Sequence, residues 1–140
     1  MTADQIIAHL NLAPHPEGGW YRETYRAPAK RGARPCATAI HFLLQAGTSS
    51  HWHKVDADEI WLWHAGAPLT LSLAPTEAGP AKDHVLSGDL STGRPQILVP
   101  ANQWQAAATT GAYTLVTCIV APGFDFAGFT LADPGFDIPR

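Results

Sequence analysis

Apolar and polar residues change their period early in the chain. Ile6, Ile7 and Leu10 fall on one helical stripe, and Thr2 followed by Gln5 has the spacing of a capping box, so a short helix is predicted to open the chain and to stop near Pro14. Beyond it the pattern has a period of two. Strands are predicted over Gly19 to Arg26, Thr38 to Leu44, Glu59 to His64, Leu69 to Leu73, Asp83 to Leu86, Gln96 to Val99, Gln105 to Ala108 and Tyr113 to Ala121. In LTLSL, Leu69, Leu71 and Leu73 take one face and Thr70 and Ser72 the other. Glycines and prolines punctuate these runs, and many short strands separated by turns imply an all-β sandwich or barrel. Residues 27–35 (APAKRGARP) and 75–82 (PTEAGPAK) read as exposed connections. Neither is long enough to divide the chain, so residues 1–140 are expected to form a single domain.

Charge and length narrow the functional classes. A net charge of -3 with nine Lys and Arg in no long block leaves little to neutralise phosphates, so no nucleic-acid partner is expected. The N-terminus has neither a basic start nor a long apolar run, which predicts no membrane association and a cytoplasmic protein. Cys36 and Cys118 are too few for a disulfide scaffold. Cys118, inside YTLVTCIVA, is expected in the core.

The chemistry concentrates in GTSSHWHKVDADEIWLWHAG. In extended backbone residues i and i+2 point the same way, so His51 and His53 are expected to present two imidazoles to one point, and a returning strand would bring the Glu59 carboxylate there. Two imidazoles and a carboxylate suit non-haem Fe, and also Mn, Ni or Zn. Parity places Trp61 and Trp63 with Glu59 and turns Ile60, Leu62 and His64 away. His-x-His alone is more often a hydrogen-bonded pair than a metal site, and Glu59 at the right distance, followed by a turn at Gly66, makes the two readings about equal. On GWYRETYR, one face is expected to supply polar groups, with Tyr21 and Glu23 as candidates and an Arg22–Glu23 ion pair as the plainer reading. Trp61, Trp63 and Trp104 either line a cavity or fill the core. Phe124 and Phe126 are expected to form an apolar plug with Asp125 turned outward.

Gly47, His51, His53, Glu59 and Gly66 resemble the first cupin motif, with slightly altered spacing. HPEGGWYRETYR, DADEIW, VPANQWQAA and CIVAPGFDFAGFTLA, spread from residue 15 to residue 132, resemble the cupin-5-like family of small single-domain cupins, whose members largely lack an assigned activity. The resemblance implies a double-stranded β-helix, a jelly-roll barrel with the site in its mouth, and a homodimer. Where the second cupin motif usually carries a His, this chain has Gln105, whose amide oxygen would be a weaker ligand. The implied site is therefore His51, His53, Glu59 and Gln105 around a divalent metal, with Tyr21, Glu23, Trp61, Trp63 and Gln105 around a small-molecule ligand and the catalytic residue unassigned. Three functions follow: a metal-assisted isomerase, epimerase or lyase on a polar or sugar-like substrate, an Fe-dependent dioxygenase, or a metal-free binding pocket.

Overall fold

The computed structural model describes all 140 residues. It opens with α1 (Ala3–Leu10), followed by β1 (Ala13–Pro14), β2 (Trp20–Arg26), β3 (Thr38–Gln45), β4 (Ser49–Val55), β5 (Asp58–Gly66), β6 (Leu69–Ala74), β7 (Lys82–Leu86), β8 (Gln96–Val99), β9 (Trp104–Thr109), β10 (Tyr113–Ala121) and β11 (Phe129–Leu131). The capping box at Thr2 and Gln5 is formed, and Asn11 ends the helix in the left-handed region. The helix docks Ile6 with Leu12 on Leu43 and Trp20, outside the barrel. No helix is long and apolar enough to cross a membrane.

The strands form two facing antiparallel sheets, ordered β1-β2-β3-β10-β5-β8 and β11-β4-β9-β6-β7. Three strands lay outside the sequence expectation: the two-residue β1, the short β11 and the histidine-bearing β4. Alternate residues point between the sheets, and their character changes along each strand. At one end Phe42, Leu44, Trp61, Leu69, Leu71, Leu86, Val99 and Val116 fill the space as a core. One or two pleat repeats on, at about 7 Å per repeat, the same faces carry Thr38 and Ile40 on β3, Glu59 on β5 and Val120 on β10, all lining a cavity. The barrel is thus packed at one end and hollow at the other. Cys118 lies between the two regions, buried as expected, and Cys36 is exposed.

The last residues strap the outer face of the smaller sheet. Ile138 is fully buried there among Trp52, Ala74, Ala81 and Trp104, while Trp52 Nε1 donates to Asp137 Oδ1 at 2.9 Å.

Candidate functional site

One of the buried polar groups in the hollow end comes from the turn before β2. His15 N donates to Gly19 O at 2.9 Å and Gly18 N to His15 O at 3.0 Å, and His51 N donates to Glu17 O at 2.8 Å, which clamps the turn onto β4. Gly18 has φ +106°, and a Cβ on it would collide with the Ser49 carbonyl oxygen. Only glycine permits both that backbone conformation and that approach. The turn therefore lies flat against β4 and inserts the Glu17 side chain between the sheets.

Glu17 meets a buried imidazole, and the hydrogen bonds fix where the protons sit. His53 Nδ1 is 2.7 Å from the His51 carbonyl oxygen, which only accepts, so Nδ1 carries a hydrogen. The neutral ring then offers a bare Nε2, 3.0 Å from Glu17 Oε2. Burial pushes Glu17 up to about 8 and holds His53 below its ordinary value, so at neutral pH the contact is a carboxylic acid donating to an imidazole and not an ion pair. Ser50 Oγ donates to the same carboxyl. His15 stands on the other side with Nδ1 accepting from Glu17 N at 3.1 Å. Burial, and then the neighbouring His53, depress it to about 4, so it too is neutral.

Glu59 is the second buried carboxyl. Trp61 Nε1 donates to Gln105 Oε1 at 2.9 Å, and because an indole N–H only donates, this fixes the amide orientation. Gln105 Nε2 then donates to Glu59 Oε1 at 2.9 Å. Burial raises Glu59 to about 7, partly offset by His53, so it is close to half-protonated at neutral pH. The proton of its acid form sits on the oxygen that Gln105 leaves free.

These groups line a half-open cavity of about 870 Å³. Its inner part holds His15, Glu17, His53, Glu59 and Cys118. One wall is aromatic: Phe124 and Phe126 meet edge to face at 4.8 Å, Phe129 packs against both and against His53, and His15 meets Tyr21 edge to face at 4.5 Å. Glu23, Arg26 and Arg34 stand at the mouth.

Comparison with known proteins places this geometry. Residues 4–132 match the family described as Cupin superfamily (DUF985). The chain belongs to that cupin family. Its structure is similar to a protein from Shewanella oneidensis at 39% identity and a TM-score of 0.88, covering 95% of this chain and 85% of that one. A hypothetical protein from Leishmania major is similar at 29% identity and a TM-score of 0.87, covering 97% and 90%. Oxalate decarboxylase from Bacillus subtilis shares the fold at 12% identity and a TM-score of 0.64, over 84% of this chain and 29% of that one. No curated protein sequence matches.

Of the residues expected at the site, this cupin brings His53, Glu59, Tyr21 and Glu23 to the cavity and places four others elsewhere. His51 points out of the barrel, its Nε2 2.8 Å from the Asp133 carbonyl oxygen. The reason is a bulge: β4 advances from Ser50 to His53 while β9 advances only from Ala107 to Gln105, so Ser50 and His53 share the inner face and His51 is turned away. Trp61 and Trp63 share the face of Glu59 but sit one and two repeats deeper, as core under the cavity floor. Gln105 is buried behind Glu59 and does not reach the cavity. Trp104 packs under the C-terminal strap. The expected Arg22–Glu23 pair is replaced by a bidentate Arg26–Glu23 pair at 2.9 and 3.0 Å, because a bulge at Thr24 brings residue 26 to the side of residue 23. His64 faces away from Glu59 as parity requires, against Thr117 Oγ1 at 2.6 Å. Glu17 and His15 were not singled out as site residues. Their signal was the Gly-Gly pair following an acid in HPEGGW, which marks a turn pressed against other backbone.

The divalent metal implied by the cupin resemblance does not fit these donors. Although His15, Glu17, His53 and Glu59 share the inner cavity, no three His, Cys, Asp or Glu side chains are arranged so that they could hold a metal ion. The lone pair of His53 Nε2 is met by Glu17, the Gln105 oxygen accepts from Trp61, and His51 lies outside. What the site holds together is an acid in contact with a base, Glu17 and His53, and a second acid, Glu59, held separately by Gln105.

Proposed function

We propose that this cupin is a small-molecule enzyme of the isomerase, epimerase or lyase type, in which the chain's own acids and imidazole move a proton on a bound substrate. The reading rests on the contact between Glu17 Oε2 and His53 Nε2 at 3.0 Å. Proton transfer from a neutral acid to a neutral base one hydrogen bond away leaves the net charge unchanged and forms a carboxylate–imidazolium pair held in contact, and raised carboxyl pKa values are what general acid catalysis at neutral pH requires. Glu59, on the opposite sheet, supplies a second proton-bearing oxygen. A substrate between them is met from two walls, so a proton can leave one position and return at another. In this scheme His53 accepts from a carbon acid once Glu17 has given up its hydrogen bond, and Glu59 donates to the oxygen on which charge develops. Gln105 positions Glu59 without touching substrate.

The test is deuterium incorporation from solvent into a panel of hydroxy-ketones and aldoses, followed by NMR in the presence and absence of a chelator. Incorporation that persists with chelator and is lost in His53→Gln and Glu59→Gln is the expected result. Activity that vanishes with chelator and returns with Fe, Mn, Ni or Zn would replace this scheme by a metal-assisted one. No incorporation into any compound would leave a binding pocket.

A further inference from the structure

His15 carries a hydrogen-bond donor that the protein does not use. Its Nδ1 accepts from Glu17 N at 3.1 Å, and a backbone amide only donates, so the hydrogen of the neutral ring is on Nε2. No side-chain nitrogen or oxygen closed off from solvent lacks a hydrogen-bond partner anywhere in the molecule, and His15 Nε2 has none, so solvent reaches it. His15 is otherwise buried, and the opening it lines is the cavity. The turn pressed against β4 thus fixes one edge of the ring, and the N–H on the other edge is left for a ligand.

Around that donor the cavity offers rings and no free charge. Phe126 is 53% exposed although it packs against Phe124 and Phe129, and its ring stands 6.3 Å from that of His15. An exposed phenylalanine beside a cavity is apolar area that a ligand would cover. The arginines of the mouth hold the loop that carries these rings. Arg26 is paired with both oxygens of Glu23 and donates to Phe124 O at 3.1 Å, and Arg34 is paired with both oxygens of Asp56 and donates to Gly123 O at 2.6 Å. Arg22 lies opposite His41 on the face of Trp20 and Leu43, outside the barrel. A carboxylate or phosphate entering the cavity would therefore lose water without meeting a free cation, a cost that one neutral N–H donor does not recover. An ammonium group, which only donates, has nothing to offer His15 Nε2. The matching partner is the oxygen of an uncharged molecule.

We propose that the cavity binds an uncharged, ring-bearing carbonyl compound, with one of its oxygens accepting from His15 Nε2 and its ring lying against Phe126 and Phe129. This names the substrate class of the proton-transfer site, planar hydroxy-ketones in preference to sugars and organic acids, and rests on that reading only for what happens after binding.

Three probes decide it. 2-Hydroxy-1-phenylethanone has a ring and oxygens without charge, phenylglyoxylate has the ring with a carboxylate, and dihydroxyacetone has the oxygens without the ring. Each is titrated calorimetrically into the full chain as wild type, His15→Phe and Phe126→Ala. The phenyl ketone should bind wild type, and the other two should bind at least about tenfold more weakly. Phe126→Ala should weaken the phenyl ketone about tenfold and His15→Phe about fivefold, the worth of one neutral hydrogen bond. Phe126 is exposed, so its variant is expected to fold, and a cooperative thermal transition without ligand verifies this. His15→Phe also removes the acceptor of Glu17 N, so a second measurement uses wild type alone. Proton–nitrogen correlation spectra of protein with isotope-labelled histidine should show His15 protonated on Nε2, and that resonance should move when the phenyl ketone is added. Equal or tighter binding of either other probe, undiminished binding to either variant, or no binding of any probe would overturn the assignment. So would a His15 ring protonated on Nδ1, toward Glu17 Oε1 at 3.2 Å, or an Nε2 resonance that stays in place while the ketone binds. Binding of the phenyl ketone with the expected His15 shift, but no deuterium incorporation into it, would retain the ligand assignment and discard the proton-transfer reading.

Discussion

Stability should fall between pH 6.5 and 8, and Glu17 should be the main cause. A carboxyl whose folded pKa is raised binds its proton more tightly in the native state, so it contributes stability that is complete below its unfolded value and is lost as pH rises through the folded value. For Glu17 that window runs from 4.5 to about 8, and for Glu59 from 4.5 to about 7. The histidines act in the opposite sense. His15, lowered from 6.5 to about 4, and His53, also lowered, make the fold less stable as pH falls below 6.5, so below that pH the two effects oppose each other. Above it the unfolded histidines lose their remaining protons within about one pH unit, and beyond that only the carboxyls act. Each native proton in excess costs about 1.4 kcal/mol per pH unit, which gives about 2 kcal/mol from Glu17 and about 0.7 kcal/mol from Glu59 between pH 6.5 and 8. The carboxyl total of about 2.5 kcal/mol, less about 0.8 kcal/mol returned as His15 and His53 finish titrating in the unfolded chain, leaves a net fall of about 1.7 kcal/mol, or about 0.8 M in urea midpoint at a slope of about 2 kcal/mol per M. Urea titrations at half-unit pH steps on wild type and Glu17→Gln measure it, and the variant should be nearly flat, since Glu59 and the histidines almost cancel. A wild-type stability that is flat or rising over this window, or a Glu17→Gln slope equal to wild type, refutes the buried neutral acid and with it the proton inventory of the site.

Two further changes separate structure from site. Gly18→Ala should destabilise the fold by about 3 kcal/mol or more, because it combines a strained left-handed backbone with a collision against the Ser49 carbonyl; chemical denaturation that finds less than about 1 kcal/mol would mean the turn can lift off β4. His51→Ala should cost about 1 kcal/mol or less, the worth of one exposed hydrogen bond, and chemical denaturation that finds a loss well above that would mean His51 does more than hold the outer loop.

The barrel was legible because its determinants are local and repeated. Alternation in LTLSL and YTLVTCIVA fixes which side chains face inward, and the structure keeps it: Leu69 and Leu71 on β6 and Thr114, Val116, Cys118 and Val120 on β10 are all buried. The same rule correctly turned His64 away from Glu59. It failed where a strand carries an extra residue. Nothing in SSHWHKV announces a bulge, since the residue that opposes the extra one lies on β9, far away in sequence. The error fell on the inference with the most chemistry attached, that His51 joins His53. Depth was the other missing quantity. Parity says that Glu59, Trp61 and Trp63 share a face, but only the closing of the second sheet decides that Glu59 meets the cavity and Trp61 the core. Glu17 shows the converse case. No periodicity selects it, because it stands in a turn, yet a turn that needs glycine at two successive positions with φ +106° and +78° is one whose backbone must lie against other backbone. An acid immediately before such a pair is pushed wherever the turn is pressed, here into the mouth of a barrel. Burial without a cationic partner then forces it to keep its proton, and the bare nitrogen of His53 gives that proton an acceptor. The bulge in β4 and the glycine pair thus act together: one turns His51 out of the barrel, and the other brings Glu17 in to meet His53.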